Sequence, residues 1–200
     1  MFAYCLNNPV NREDPSGCKS IWSFKSDAKG RSILWHYLFG KGTDLIKHNG
    51  SWGKYMQKNK GDPANGVEPL SEQMKGIVFP IRNSLRNGES RTVDITTSIA
   101  IQNGESIIGY QYLHGTNADV GGFQIQGNIS RDLEGNTTYQ LTYTWNDMID
   151  PNFNYTSDIM KVAFAQKIPG ANPTSYYICI SWDDTTIINS TGKQNRGWLK

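Results

Sequence analysis

The spacing of hydrophobic residues changes near residue 92 of this chain. Before that point, apolar residues recur at helical spacing over residues 32–39 and again from Ser71 toward Phe79. After it, apolar and polar residues alternate, as expected for strands with one buried face. The pattern therefore predicts an α+β fold, in which a short helical N-terminal part is followed by an antiparallel β-sheet or an open β-barrel.

The boundaries of the helices follow from local signals. Ser32 is a candidate N-cap of the first helix, and residues 43–70, rich in Gly, Lys and Asn, are predicted to be mostly loop. Pro80 is expected to interrupt the second helix, because proline lacks the backbone N–H. A third, short amphipathic helix is predicted over residues 158–168.

The alternating half of the chain predicts five strands: 92–101, 106–113, 122–130, 137–146 and 175–182. Asn103-Gly104 and Gly135-Asn136 are hairpin turn signals. Cys179 is expected to be a buried strand residue. Alternation also predicts five core-facing side chains in the sheet, namely Phe123, Ile125, Tyr139, Leu141 and Ile178.

Composition and charge narrow the function classes. The chain of 200 residues is 37% hydrophobic and 12% aromatic, which is enough to build a folded core. Its net charge is only +2, with Lys and Arg spread along the chain, so nucleic acid is not a favoured partner. The sequence shows no signal peptide and no apolar stretch of about 18 residues. If the protein acts outside the cell that produces it, a separate secretion machinery is therefore expected to deliver it.

The first residues carry a specific motif. They read Met-Phe-Ala-Tyr-Cys-Leu-Asn-Asn-Pro-Val-Asn-Arg-Glu-Asp-Pro-Ser-Gly. This run resembles the end of the RHS-associated core of RHS/YD-repeat polymorphic toxins, where the conserved shell meets a variable toxin. The resemblance implies that residues 1–17 end the RHS core, 18–31 form a connector and 32–200 form the toxin effector. It also implies an RHS shell, a cognate immunity protein and a specialised secretion system as partners.

The segment from residue 145 to 158 concentrates carboxylates. Asp147 and Asp150 are three residues apart and are predicted to lie just past the end of a strand, where they can converge on one site. There they could hold a divalent metal through hard oxygen ligands, or one could act as a base. The alternative is a polar surface loop in which Asp150 and Asp158 are turn and helix-cap residues.

A second resemblance bears on this segment. Trp35-His36-Tyr37-Leu38-Phe39-Gly40-Lys41-Gly42, the strands around Gly135-Asn136, and Asp147-Met148-Ile149-Asp150 follow the order of motifs in the colicin M activity domain. That family consists of Mg-dependent phosphodiesterases that cut lipid-linked peptidoglycan precursor (lipid II) between undecaprenol and pyrophosphate. The resemblance implies that Asp147 is the first essential Asp and a ligand of Mg²⁺, and that Asp150 is the second.

Other positions depart from the family's pattern. The family's His-Arg pair would fall on Thr156-Ser157, which can supply neither an imidazole nor a guanidinium. His114 is the candidate imidazole, and Lys161 and Tyr155 are candidate binding residues. His48 is expected to be a loop residue, and His36 an ordinary residue of the first helix.

Three classes of function remain open on the sequence. The first is a toxin that hydrolyses a lipid pyrophosphate in the periplasm or at the outer face of the target cell membrane. The second is a nuclease toxin acting in the target cytoplasm, a common cargo of RHS toxins by family analogy. The third is a non-enzymatic, membrane-active toxin.

Overall fold

The computed structural model describes residues 28–60, 68–98, 122–149 and 166–199. In these residues the helices are α1 (Ala28–Phe39), α2 (Gly50–Gln57) and α3 (Leu70–Ser84). The strands are β1 (Leu45–His48), β2 (Ser90–Thr97), β3 (Gly122–Arg131), β4 (Thr137–Ile149), β5 (Tyr176–Ile188) and β6 (Gln194–Arg196). A helical front precedes most of the sheet in sequence, which confirms the α+β class.

The strands form one open, mixed sheet in the order β1-β5-β4-β3-β2, with β6 also paired to β5. The pairs β2–β3, β3–β4 and β4–β5 are antiparallel, as predicted. β1 is parallel to β5, so the sheet is mixed rather than purely antiparallel. The parallel pairing is possible because more than a hundred residues, including α2 and α3, separate the two strands and provide the crossover that parallel strands need.

One face of the sheet forms the hydrophobic core with the helices. All five side chains predicted to face the core are buried, with Leu141 3% exposed and Phe123, Ile125, Tyr139 and Ile178 0% exposed. From the helices, Ile33, Met56, Leu70, Met74 and Val78 are also fully buried. Each such side chain contributes roughly 1.5–3 kcal/mol relative to an exposed one, so this face fixes the positions of the helices on the sheet.

A cluster of aromatic rings joins the centre of the sheet to the C-terminal residues. Tyr143 of β4 stacks on Trp182 of β5, with ring centroids 5.4 Å apart. Trp198 packs edge-on against both rings, at 5.0 and 5.5 Å. The Trp198 indole N–H also donates to the carbonyl oxygen of Gln57, 2.7 Å away, which ties the end of α2 to the cluster.

Two glycines shape the β3–β4 hairpin. Gly135 has a φ of 85° in the connection between the strands, which confirms the turn predicted there. Gly127, inside β3, has a φ of 142°, and a Cβ at this position would collide with the Gln140 carbonyl oxygen of β4. The two strands therefore approach each other in a way that only glycine permits.

The N-terminal half differs most from the sequence-based expectations. α1 begins at Ala28 rather than after Ser32, so it extends into residues predicted as connector. The prediction that residues 43–70 are mostly loop was wrong, because β1 and α2 lie within them. His48 is accordingly the last residue of β1 rather than a loop residue. A strand of four residues carries too little alternation to be recognised, and its pairing with β5 defines it.

One helix and two strands are also longer than predicted. α3 begins at Leu70 and continues through Pro80 to Ser84, because its apolar face is buried in the core and offsets the missing hydrogen bond. β4 and β5 run to Ile149 and Ile188, beyond their predicted ends, since each continues to pair with the other.

Cys179 lies in β5 as predicted, but it is half-buried on the outer face, because its neighbours Ile178 and Ile180 face the core. Residues 166–168, predicted as the end of a helix, form turns and bends instead. The rest of that helix, the strand predicted at 106–113 and the Asn103-Gly104 turn lie outside the described residues.

Candidate carboxylate site at one end of the sheet

The topology brings three strand ends together. β1 and β5 are parallel, and β4 is antiparallel to β5, so the starts of β1 and β5 lie at the same end of the sheet as the end of β4. The register places Leu45 and Asp147 on either side of Ile178. Asp44, which immediately precedes β1, and Asp147 therefore belong to the same end of the sheet.

Asp147 lies inside β4 and not after it. The expectation that it follows the strand was wrong, because pairing with β5 continues through Asp147, Met148 and Ile149. The Asp147 side chain is half-buried, and its Oδ1 accepts a hydrogen bond of 2.8 Å from the backbone N–H of Met148. This bond leaves the carboxylate charge in place and fixes its orientation at the edge of the site.

Tyr177, the second residue of β5, lies at the same end of the sheet. Its backbone N–H donates to Asp44 Oδ1 at 3.3 Å. The pKa of the Tyr177 phenol is raised, first by burial and then by the electrostatic effects of Cys179, Asp44 and Asp147. A tyrosine phenol is already protonated at neutral pH, and the raised pKa extends its capacity to donate a hydrogen bond to higher pH.

His36 supports this end of the sheet from α1, in agreement with the structural role expected for it. Its Nε2 lies 2.6 Å from the carbonyl oxygen of Thr43, to which it donates. Its ring packs edge-on against Tyr176 with a centroid distance of 4.5 Å. The hydrogen bond fixes the turn after α1, and with it the backbone that leads into Asp44.

Asp44 and Tyr177 were missed by sequence reasoning. They are 133 residues apart, and no local pattern connects either of them with the carboxylates after residue 145. Only the parallel pairing of β1 with β5, which brings residues 45 and 178 together, places them at the same end of the sheet as Asp147. The one local feature of the sequence at this position is an acidic residue, Asp44, directly before the apolar pair Leu45-Ile46.

The expected Mg²⁺ site is not tested by the described residues. Carboxylate oxygens such as those of Asp44 and Asp147 are the ligands that Mg²⁺ prefers. Within the described part of the chain, no group of three or more His, Cys, Asp or Glu side chains is arranged to hold a metal ion. The other predicted site residues, namely Asp150, His114, Tyr155 and Lys161, lie outside the described residues, so their convergence on Asp147 stays a prediction.

The comparisons with known proteins give similarity of fold only. No protein-family model and no curated protein sequence matches the chain. Among solved structures, PaeM, a colicin M-like bacteriocin produced by Pseudomonas aeruginosa, is 17% identical, with 81% of this chain and 51% of PaeM covered and a TM-score of 0.43. Truncated syringacin M from Pseudomonas syringae pv. tomato is 18% identical, with 80% and 60% covered and a TM-score of 0.43.

Pectocin M2 is a third similar structure, 14% identical, with 80% of this chain and 53% of pectocin M2 covered and a TM-score of 0.39. The matched region thus spans about half to three-fifths of the length of these proteins. Among the helices described, none is long and apolar enough to cross a membrane.

Proposed function

We propose that this chain is the effector domain of an antibacterial toxin that hydrolyses lipid-linked peptidoglycan precursor between undecaprenol and pyrophosphate. The observation that carries the proposal is the placement of Asp147 at the end of β4, beyond the β3–β4 hairpin. The sequence resembles the colicin M activity domain in the same order of elements: a strand, a turn that contains Asn and Gly, a second strand and an Asp.

The first 17 residues support a toxin as the context. Their resemblance to the end of an RHS-associated core suggests that the effector is carried by an RHS shell and released at the target cell. The producer would then need a cognate immunity protein. The substrate lies at the membrane surface of the target cell, so the domain would act in the periplasm or at the outer face of that membrane.

Hydrolysis of a pyrophosphate requires that the negative charges of the substrate and of the acidic side chains be balanced. Asp147 and Asp150 would hold Mg²⁺, which, when bound, neutralises charge on the pyrophosphate during attack by water. A bound cation would also offset the negative charge of acidic side chains brought together at this end of the sheet. The Tyr177 phenol, which is protonated at neutral pH, would donate a hydrogen bond to a pyrophosphate oxygen.

The groups that complete the reaction are proposed from the sequence. His114 would supply the imidazole that moves the proton, and Lys161 would supply the cation that binds phosphate oxygens. Tyr155 would contribute to binding. In sequence, His114 lies between β2 and β3, and Tyr155 and Lys161 lie between β4 and β5.

Expression of the domain in the periplasm of a sensitive cell tests the proposal. Asp147→Asn retains the Oδ1 acceptor for Met148 but loses the charge. We expect killing to fall by at least about 100-fold, the scale of removing one charge-stabilising group from an active site. Asp94→Asn is the matched control, because Asp94 also accepts side-chain hydrogen bonds on the sheet, from Gln124 and Gln126, yet lies on β2.

Thermal unfolding distinguishes loss of function from loss of structure. Asp147→Asn should unfold within a few degrees of the parent, since changes of this kind at partly exposed sites are typically worth about 0.5 kcal/mol. Full killing by both Asp147→Asn and Asp150→Asn would show that the carboxylate site is wrong.

A further inference from the structure

A second cluster of reactive side chains lies on the outer face of the sheet, away from Asp147. His48 ends β1, and the register places it opposite Ser181 of β5. Its Nδ1 lies 2.8 Å from Ser181 Oγ, and its Nε2 lies 3.0 Å from Asp183 Oδ2. One imidazole therefore contacts a hydroxyl through one ring nitrogen and a carboxylate through the other.

The Asp183 carboxylate is held by groups from two further positions. Oδ2 also accepts from Asn49 Nδ2 at 2.9 Å, and Oδ1 accepts from Thr142 Oγ1 at 2.7 Å. The Asp183 backbone N–H donates to Asn49 Oδ1 at 2.8 Å, so Asn49 bonds the same residue twice. The bonds from Asn49 and Thr142, followed by the effect of His48, lower the pKa of Asp183.

The ionised carboxylate determines the tautomer of His48. We assign the proton to Nε2, because Asp183 Oδ2 can only accept, and Asn49 Nδ2, 2.8 Å from Nε2, is then assigned as a donor to the same carboxylate oxygen. In this tautomer Nδ1 is unprotonated, and its lone pair faces the Ser181 hydroxyl. A base that is hydrogen-bonded to a hydroxyl, and is itself oriented by a carboxylate, is the arrangement that activates serine nucleophiles.

We propose that Ser181 is a nucleophile, activated by His48, that accepts acyl groups from carboxylic esters. Ser181 Oγ forms a bond to the acyl carbon as its proton passes to His48 Nδ1. The ester C–O bond then breaks, and the leaving alcohol takes the proton from His48. Water, deprotonated by His48 in the same way, attacks the acyl-serine, releases the carboxylic acid and returns the proton to Ser181.

The charge and exposure of the cluster favour this class of substrate. The side chains of His48 and Asp183 are each 55% exposed, so an ester can approach from the open face. The fixed negative charge of Asp183 repels phosphate anions and tolerates a neutral ester. Thr142 and Asn49 keep the carboxylate in place without substrate, so the base is oriented in advance.

The cluster is independent of the carboxylate site. Ser181 is four residues from Tyr177 along β5, which corresponds to about 13 Å in an extended strand. The proposed acyl transfer uses none of the residues proposed to hold Mg²⁺ or to bind the pyrophosphate. The proposed acyl transfer would therefore survive the failure of the proposed lipid pyrophosphate hydrolysis.

Labelling of the full chain with a biotin-linked fluorophosphonate tests the proposal, because Ser Oγ displaces fluoride from this probe by the same proton transfer. We expect one label, located at Ser181 by peptide mass mapping, and none in Ser181→Ala. His48→Ala should slow labelling by about 100-fold, the usual scale of general-base catalysis. Ser90→Ala, which removes an exposed serine of β2, should label at the parental rate.

Rescue separates a chemical role of His48 from a structural one. Imidazole added to His48→Ala should restore part of the labelling rate, whereas it cannot repair a misfolded sheet. Asp183→Asn should also slow labelling while circular dichroism stays unchanged. The proposal is overturned if Ser181 remains unlabelled, if His48→Ala labels at the parental rate, or if folded His48→Ala gains nothing from imidazole.

Discussion

Replacing Gly127 with alanine perturbs the hairpin that carries Asp147. The φ of 142° at Gly127 belongs to a region that residues with a Cβ rarely adopt, which costs on the order of 1–3 kcal/mol. The added Cβ would also collide with the Gln140 carbonyl oxygen and come within 3.1 Å of Leu141 Cα. To relieve this contact β4 must move away, which weakens one or two ladder hydrogen bonds at about 1 kcal/mol each.

These terms give a destabilisation of about 2–5 kcal/mol for Gly127→Ala. Urea unfolding followed by tryptophan fluorescence measures it directly, since Trp145 is buried on β4, the strand next to β3, and Trp182 is buried on β5, the strand after that. Gly76→Ala is the control, because nothing lies within 4 Å of its added Cβ and it sits in α3. It should stabilise the protein by about 0.5–1 kcal/mol. A Gly127→Ala protein within about 1 kcal/mol of the parent would refute this account of the β3–β4 contact.

Two further predictions concern single side chains. Tyr176→Phe should destabilise by about 0.5–1.5 kcal/mol in urea unfolding, because the buried Tyr176 O–H donates to the Ile33 carbonyl oxygen at 2.9 Å and the variant loses this bond between β5 and α1. Tyr143→Phe should be neutral or stabilising, since the buried Tyr143 oxygen has no hydrogen-bond partner among the described residues, and equal losses in the two variants would contradict this. Asp183 has a lowered pKa, so its contribution to stability is present above the unfolded value of about 3.9 and is lost as pH falls through the folded value. The stability gap between the parent and Asp183→Asn should therefore shrink from pH 7 to pH 3, and a gap that is constant over this range would count against the interpretation.

The β3–β4 hairpin shows what the sequence is able to predict. Alternation marked both strands, Gly135-Asn136 marked the turn, and Phe123 and Tyr139 were recognised as core residues. All of these signals are local, because the period of two and the turn chemistry lie within about 30 residues. Where a strand had a long alternating pattern and a neighbour next to it in sequence, the expectation agreed with the structure.

The remaining features depend on contacts between distant residues. β1 is too short to show a pattern, and its partner Ile178 lies more than a hundred residues away. Asp147 was expected after β4 because polar residues end the alternation at Asn146, yet pairing with β5 carries the strand further. The cluster of His48 with Asp183 spans 135 residues, and neither residue has a motif around it.

Incubation of the purified chain with lipid-linked peptidoglycan precursor and Mg²⁺ tests the central claim most directly. If the proposed function is right, chromatography and mass spectrometry will show free undecaprenol together with a pyrophosphate that keeps the sugar–peptide part of the precursor. Asp147→Asn, or removal of divalent metal by a chelator, should abolish both products while the fold is retained. Intact precursor after incubation with the folded parent chain, or products formed equally by Asp147→Asn, would contradict the claim.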